Sequence, residues 1–102
     1  MKTKEFDIFG TKYTIGWVDE ISDKAAQGTT VGLCDSTNAK VWIATKLPNG
    51  DTVPKADMEK NLIHELIHAI LNEGQYLAVS TDEPLVEWLA RCIYSLKKQK
   101  VI

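Results

Sequence analysis

Two histidines, His64 and His68, are the only ones among the 102 residues, and they lie four positions apart in the stretch His64-Glu65-Leu66-Ile67-His68. On an α-helix, four residues advance by about 400°, so both imidazoles lie on one face, one turn apart. Two rings in this relation can bind one metal ion, and Glu65 beside them can take a proton from a water. The spacing therefore predicts a helix that carries a metal site.

The helix that carries this stretch is predicted to run from Pro54 to about Glu73, because Pro54 suits a first helical turn and Gly74 supplies a stop. Its apolar positions form a wide stripe, which is typical of a largely buried helix: Met58, Leu62, Ile63, Leu66, Ile67, Ile70 and Leu71. Polar groups on such a helix need partners, and a metal ion would be one. The alternative is that His64 and His68 are ordinary surface or core histidines.

Length and composition favour one globular domain that spans residues 1–102. With 44% hydrophobic and 25% charged residues, the chain has the composition of a soluble protein. The net charge of −2 gives no footprint for nucleic-acid binding. The one basic cluster, at residues 97–100, is interpreted as a solvated helix end.

The environment of the protein is expected to be cytoplasmic, and the protein monomeric. The first residues lack the apolar segment of a signal peptide, and no apolar run approaches the roughly 20 residues of a membrane span. Cys34 and Cys92 lie far apart in the sequence, so reduced thiols are expected rather than a disulfide.

Alternating apolar and polar residues predict four strands in the first half of the chain. The first pair comprises residues 6–9 and 13–18, joined by a turn at Gly10-Thr11-Lys12. The second pair comprises residues 30–35 and 40–45, joined by a turn at residues 36–39. Residues 19–27 are polar and predicted to be weakly helical.

A third metal ligand has to come from another residue type, because a catalytic zinc usually has three protein ligands and no third histidine exists. Carboxylates or Cys92 are the candidates, although Cys92 fits a small buried apolar position better. A second amphipathic helix begins near Ser80 and Glu83, which have the spacing of a capping box. Glu83 and Glu87 share a face of that helix, so that if one faces the metal the other is nearby. Otherwise both belong to a solvated acidic helix start.

The sequence resembles the gluzincin type of zinc peptidase, of which thermolysin is the best-known member, in its HExxH stretch and the Glu-bearing helix that follows. More narrowly, it resembles small phage and prophage proteins related to the ImmA/IrrE metallopeptidases. The residues that carry this second resemblance span most of the chain, although only the HExxH stretch is a specific motif: Phe6-Asp7-Ile8, Tyr13-Thr14-Ile15, His64-Glu65-Leu66-Ile67-His68-Ala69-Ile70-Leu71 and Asp82-Glu83-Pro84-Leu85-Val86-Glu87-Trp88-Leu89-Ala90.

The resemblance implies a role for each site residue. His64 and His68 would bind the metal, Glu65 would be the general base, and Glu83 would be the third ligand. Glu87 would correspond to the acid that orients a ligand histidine one turn after the third ligand. The reversed assignment, with Glu87 as the ligand, stays open.

One departure from thermolysin-like enzymes concerns the oxyanion of the tetrahedral intermediate, which a histidine or tyrosine stabilises in that family. No third histidine exists here, so Tyr94, Tyr76, Tyr13 or Arg91 would have to serve, or no residue does. Loss of such a donor typically costs on the order of 10² to 10³ in rate. A slow, selective or inactive protein is therefore consistent with the sequence, and substrate binding along an exposed sheet edge is expected.

The combined expectation is an α+β, zincin-like domain: a small, antiparallel-dominated sheet packed on the HExxH helix, with the third ligand on the C-terminal helix. Its expected function is Zn²⁺-dependent hydrolysis of a peptide bond in a protein substrate, for which the resemblance suggests a repressor. The first alternative is a regulatory or interaction protein that binds zinc without useful turnover. The second is a structural zinc site, which usually has four closed ligands.

Overall fold

Strand-forming residues are concentrated in the first half of the chain and helix-forming residues in the second, and the fold follows this division. The computed structural model describes residues 2–21 and 31–102. The elements are β1 (Lys2–Ile8), β2 (Thr11–Val18), β3 (Gly32–Asp35), β4 (Lys40–Ala44), α1 (Lys55–Glu73), α2 (Leu77–Ser80) and α3 (Glu83–Lys98). The predicted α+β class is confirmed. The weak helix predicted for residues 19–27 lies mostly outside the described residues.

The four strands form one sheet in the order β1-β2-β4-β3. The pairs β1–β2 and β3–β4 are antiparallel, as the two predicted hairpins require, but β2 and β4 run parallel, so the sheet is mixed. The two central strands are the most apolar, and burial brings them together at the middle of the sheet. The first hairpin turns at Phe9 and Gly10, which have φ of 44° and 97°, slightly earlier than predicted.

One face of the sheet packs against α1. Its buried cluster combines side chains from β2 and β4 with one residue of the helix: Tyr13, Ile15, Val41, Ile43 and Ala69. Leu62 and Leu66 of α1 pack against the same cluster. This layer of helix on sheet fixes which side of α1 faces inward.

A second side of α1 packs against α3. Ile63 and Ile67 of α1 form a buried cluster with Val86 and Ala90 of α3. Ile70, which the sequence assigned to the buried stripe, is 56% exposed, because it lies between these two packed sides. The remaining side of α1, between the sheet and α3, carries His64 and His68.

The end of α1 is a Schellman-type cap that uses a residue other than glycine. Tyr76 donates its backbone N–H to the Leu71 carbonyl at 2.8 Å, and Gln75 donates to the Asn72 carbonyl at 3.1 Å. The left-handed position is Gln75, with φ of 64°, whereas Gly74 has an ordinary φ of −80°. A Cβ at Gly74 would lie 2.9 Å from the Tyr76 ring, so a larger residue there would require this exposed ring to move.

Two further features of the described residues concern the cysteine thiols and the length and hydropathy of the helices. Cys34 and Cys92 are both free thiols, as expected. In residues 2–21 and 31–102, no helix has the length and apolar character needed to span a bilayer.

Replacing Gln75 with glycine should stabilise the fold. A side chain in the left-handed region is strained by about 1 kcal/mol, and glycine at this cap position removes that strain. We expect Gln75→Gly to raise the melting temperature by several degrees in thermal unfolding followed by circular dichroism. Gln75→Ala is the matched control, because it keeps the Cβ and should give no rise. Equal melting temperatures for both variants would contradict this account of the cap.

Candidate metal centre

Three side chains from two helices converge beside α1. His64 Nε2 lies 3.0 Å from Glu83 Oε2, and His68 Nε2 lies 3.0 Å from Glu83 Oε1. The two Nε2 atoms are 3.3 Å apart. One ligand atom from each of the three residues lies within 4.8 Å of the others, so this group could hold a metal ion.

The start of α3 places Glu83 opposite the histidines. Asp82 caps the helix by accepting a hydrogen bond from the Leu85 backbone N–H at 3.2 Å, and Pro84 lies in the first turn, where its missing N–H is harmless. Glu83 is consequently the first helical residue. The predicted capping box of Ser80 and Glu83 is wrong, because the cap is Asp82 and both predicted partners contact histidines instead.

Ser80 is buried, and its hydroxyl lies 3.0 Å from His68 Nδ1. This contact orients the His68 ring so that Nε2 faces Glu83. Sequence reasoning missed this role, since a serine three residues before a glutamate is also the pattern of a helix cap. The short helix α2, which ends at Ser80, brings the hydroxyl under the ring.

Glu87 contacts the outer nitrogen of the other histidine. Its Oε2 lies 2.9 Å from His64 Nδ1. An ionised carboxylate only accepts hydrogen bonds, so the tautomer of His64 that fits this contact has its N–H at Nδ1. Glu83 therefore lies on the inner side of both rings, and Glu87 lies on the outer side of His64.

The inner atoms of this cluster can be satisfied in two ways. A carboxylate and two imidazole nitrogens in contact are satisfied by two protons, one on each Nε2, or by one metal cation. Burial lowers the pKa of His68, while Glu83 acts in the opposite direction. A neutral His68 leaves one ring nitrogen with a free lone pair, which is the form that binds a metal.

Glu65 lies beside the cluster without joining it. Its side chain is buried, 9% exposed, and packs against Gly32 of β3, where a Cβ would lie 2.8 Å from Glu65 Oε2. Burial raises the pKa of Glu65 to about 7; Glu83 and Glu87 raise it as well, and His64 opposes them. A carboxyl with a pKa near neutrality can both take and release a proton at pH 7.

A cleft of about 490 Å³ opens onto the cluster. One wall comprises Val31 and residues 32–34 of the strand β3, and the other comprises the side chains of the cluster together with Asn61 and Asn72. Burial raises the pKa of the Cys34 thiol, so this cleft-lining sulfur stays protonated at neutral pH. Within the described residues, β3 has a neighbour on one side only, so its other backbone edge is free.

The four candidate oxyanion stabilisers lie elsewhere. Arg91 and Tyr94 line a different depression along α3, where Lys60 Nζ lies 5.0 Å from the centre of the Tyr94 ring. Tyr13 is fully buried, and burial and its 2.7 Å hydrogen bond to Glu73 raise its pKa to about 12. Tyr76 packs on Gly74. The described residues that line the cleft include no tyrosine, arginine or lysine.

Cys92, the candidate thiol ligand, lies half-buried on α3. It belongs neither to the group that could hold a metal nor to the described residues that line the cleft. The structure therefore brings together His64, His68, Glu83, Glu87 and Glu65, and leaves Cys92 apart.

Comparison with known proteins adds no family to this geometry. No protein-family model, curated protein or solved structure matches the chain. The site has to be interpreted from its own residues.

The positions of Glu83 and Glu87 lead to different expected losses of metal affinity. Glu83→Gln removes the carboxylate on the inner side of the rings, whereas Glu87→Gln removes a contact to an outer nitrogen, a loss that typically lowers metal affinity by about 10- to 100-fold. We therefore expect the larger loss for Glu83→Gln in competitive chelator titrations with Zn²⁺ as the probe. The reverse ranking would assign the ligand role to Glu87.

Ser80→Ala tests the orientation of His68. Loss of the hydroxyl leaves His68 Nδ1 without its partner, and we expect Zn²⁺ affinity to fall by about 10- to 100-fold. Ser95→Ala is the matched control, because Ser95 is exposed on α3 and lies outside the cleft-lining residues. Isothermal titration of both variants measures the difference, and equal affinities would exclude an orienting role for Ser80.

Proposed function

We propose that this protein is a zinc-dependent peptidase that hydrolyses a peptide bond in a protein substrate. The observation that carries the proposal is the convergence of His64, His68 and Glu83 in a cleft that also contains the buried carboxyl of Glu65. No family match supports the proposal, which rests on the chemistry of the side chains in the cleft.

The spacing of the ligand atoms leaves room for zinc. Ligands of a tetrahedral zinc, with bonds of about 2.0 to 2.1 Å, lie about 3.3 Å apart. The two Nε2 atoms are 3.3 Å apart, each lies 3.0 Å from a different oxygen of Glu83, and one ligand atom from each residue lies within 4.8 Å of the others. Two imidazoles and one carboxylate are also the ligand set of zinc peptidases, which keep a fourth position open. A closed structural site is less well supported, because no fourth ligand joins the group among the described residues.

Zinc at this position would supply Lewis acidity, which polarises a carbonyl oxygen and activates water at neutral pH. Glu65 would take the proton of the attacking water and pass it to the leaving amine. Its contact with Gly32 holds the carboxyl at the base of the cleft. Glu87 and Ser80 would keep the two rings in position by their contacts to Nδ1 of His64 and His68.

The edge of β3 that no described strand pairs supports an extended substrate. A peptide that lies along residues 31–34 can hydrogen-bond to unpaired backbone groups, as peptides do at exposed sheet edges. The same residues line the cleft that contains Glu65.

The competing function is a zinc-bearing interaction protein with little or no turnover. The observation that favours it is the lack of a tyrosine, arginine or lysine among the described cleft-lining residues. Without such a donor, the oxyanion would depend on zinc and on the amide groups of Asn61 and Asn72. Both functions use the metal site. They differ in whether a bound peptide is cleaved, because cleavage requires Glu65 and binding alone does not.

The test is Glu65→Gln, assayed on a proteome-derived peptide library with mass-spectrometric detection of new termini. The amide matches the carboxylate in shape and leaves the ligands unchanged, so zinc content should stay equal to wild type. Cleavage should fall by roughly 10² to 10⁴, the contribution of a positioned acid–base group. Chelated wild type should also be inactive.

Glu59→Gln is the matched control, because Glu59 lies on α1 and pairs with Lys97 at 3.0 Å, away from the cleft. It should cleave like wild type. If wild type with full zinc binds peptides but gives no new termini, the interaction protein is the better account. If Glu65→Gln cleaves at the wild-type rate, Glu65 is not the base.

A further inference from the structure

A second depression, of about 410 Å³, lies between α1 and α3 next to the cleft. Glu87 lines both, so the cleft and the second depression meet at this residue. The other lining side chains come from one position on α1 and from one face of α3: Lys60, Arg91, Tyr94, Ser95, Lys98 and Gln99. The second depression therefore extends the cleft beyond the candidate metal centre, toward the start of α1.

Charge distinguishes the two regions. Among the described residues, the cleft is lined by three glutamates and by no lysine or arginine. The second depression is lined by the cations Lys60, Arg91 and Lys98, and by the carboxylate of Glu87 alone. A substrate that spans both regions would therefore meet a basic surface on one side of the candidate metal centre.

Glu87 does not neutralise this basic surface. Its Oε2 lies 2.9 Å from His64 Nδ1, which draws the carboxylate toward the cleft. Arg91 follows Glu87 by four residues, the spacing of a helical ion pair. No described carboxylate, however, lies within 4.0 Å of a charged nitrogen of Arg91 or Lys98, and both side chains are exposed. These two cations are available to an anion from outside.

The other groups of the second depression are partly engaged with one another. Gln99 donates its Nε2 hydrogen to Ser95 Oγ at 3.0 Å. Lys60 Nζ lies 5.0 Å from the centre of the Tyr94 ring, within the range of a cation–π contact. This contact holds the Lys60 ammonium at the side of the depression that faces the cleft.

The direction of β3 relates the substrate path to this basic surface. Gly32 contacts Glu65, and Ser36, just beyond β3, accepts a hydrogen bond from Asn72 Nδ2 at 2.7 Å. β3 therefore runs in the same direction as α1, and its first residue lies toward the part of α1 that precedes His64. A peptide along this edge leaves the cleft, at that end, beside the second depression.

We propose that the second depression is a subsite for a carboxylate of the peptide substrate, contacted by Arg91 and Lys98. This inference rests on the proposed peptidase function. At neutral pH an unmodified peptide carries negative charge on carboxylates, those of Asp and Glu and that of the C-terminus. The planar guanidinium of Arg91 can bind a carboxylate through two parallel hydrogen bonds, and the Lys98 ammonium adds a second charge.

The distance along the helices sets the position of the carboxylate in the substrate. Arg91 lies two turns beyond Glu83, about 12 Å along α3, and Lys60 lies one turn before His64, about 6 Å along α1. An extended peptide advances about 3.3 Å per residue. The carboxylate is therefore expected about two to four residues from the cleaved bond, on one side only.

Peptide selection by the zinc-loaded Glu65→Gln protein tests the subsite without cleavage. The probes are two libraries of N-acetylated, C-amidated peptides, random except for one scanned position that is Glu in the first and Gln in the second. Mass spectrometry counts the retained peptides. We expect Glu to be favoured about 5- to 10-fold at one position, as for a partly exposed, charge-assisted contact, and high salt to reduce this preference.

Arg91→Gln combined with Lys98→Gln should abolish the preference. The matched control is Lys97→Gln combined with Lys100→Gln, which removes the same charge near the same end of α3 but outside the second depression. Equal loss in both proteins would indicate a general attraction to the basic helix end and would overturn the proposal. Equal retention of the Glu and Gln libraries by the parent protein, or retention of neither, would overturn it too.

Charge reversal gives a readout that a merely structural role of Arg91 would not produce. Arg91→Glu should favour Lys over Gln at the same library position at which the parent protein favours Glu. Circular dichroism checks the fold of each variant. A folded Arg91→Glu protein that still favours Glu at that position would exclude contact between Arg91 and the substrate.

The source of the carboxylate is distinguished by a third library, which has a free C-terminus and no acidic residue. Retention of this library over its amidated counterpart assigns the subsite to the end of the substrate chain. A preference for Glu in amidated peptides assigns it to an acidic side chain. The lack of both preferences would contradict the proposal.

Cleavage of the same libraries by wild type separates this inference from the proposed function. If Glu is selected through Arg91 and Lys98 but no peptide is cut, the subsite is supported and the peptidase activity is not. If peptides are cut without a preference for a carboxylate, the peptidase activity is supported and the subsite is excluded.

Discussion

The packing of α1 on two different surfaces is the constraint on which the rest of the structure depends. The sheet covers one side of the helix through Leu62 and Leu66, and α3 covers another through Ile63 and Ile67. A helix that is buried on two sides has little freedom to rotate, because rotation would expose one apolar cluster and create clashes at the other. The polar side that remains is therefore held toward the cleft.

The same packing explains how a small protein can position several polar groups at once. Each histidine of the candidate site needs its ring fixed in orientation. The ring contacts come from the end of α2, at Ser80, and from the first turns of α3, at Glu83 and Glu87. When α3 is packed on α1 through Val86 and Ala90, Glu83 and Glu87 lie within hydrogen-bond distance of the two ring nitrogens of His64. Apolar burial thus sets the geometry of the candidate metal site, and the polar contacts refine it.

Local spacing made much of this predictable from the sequence. The four strands, both hairpins, the long helix and the pairing of His64 with His68 all follow from residues within a few positions of one another. The parallel contact of β2 with β4 was not predictable in this way, since it depends on which strands are most buried. Ser80 and Gln75 were missed for another reason: each has a local pattern whose ordinary reading, a cap or a glycine stop, differs from its tertiary role.

The contact of Gly32 with Glu65 corresponds to a feature that is visible in the sequence, a glycine within a predicted strand. A glycine inside a strand often marks the close approach of another group, and here that group is the candidate base. The rest of β3, a turn, β4, a loop and the first half of α1 separate position 32 from position 65, so the partner could not be named from the sequence. The glycine itself could have been flagged.

A metal ion held by His68 and Glu83 would also act as a cross-link in the chain. It would close a loop of residues 69–82, which includes α2 and the turn after α1. In the chain-entropy account of cross-links, a loop of about 15 residues contributes about 3 kcal/mol when it is tied permanently, and a bound ion ties it only while it stays bound. The order of this loop would therefore vary with the free metal concentration, and protease resistance between α1 and α3 would become a measure of occupancy.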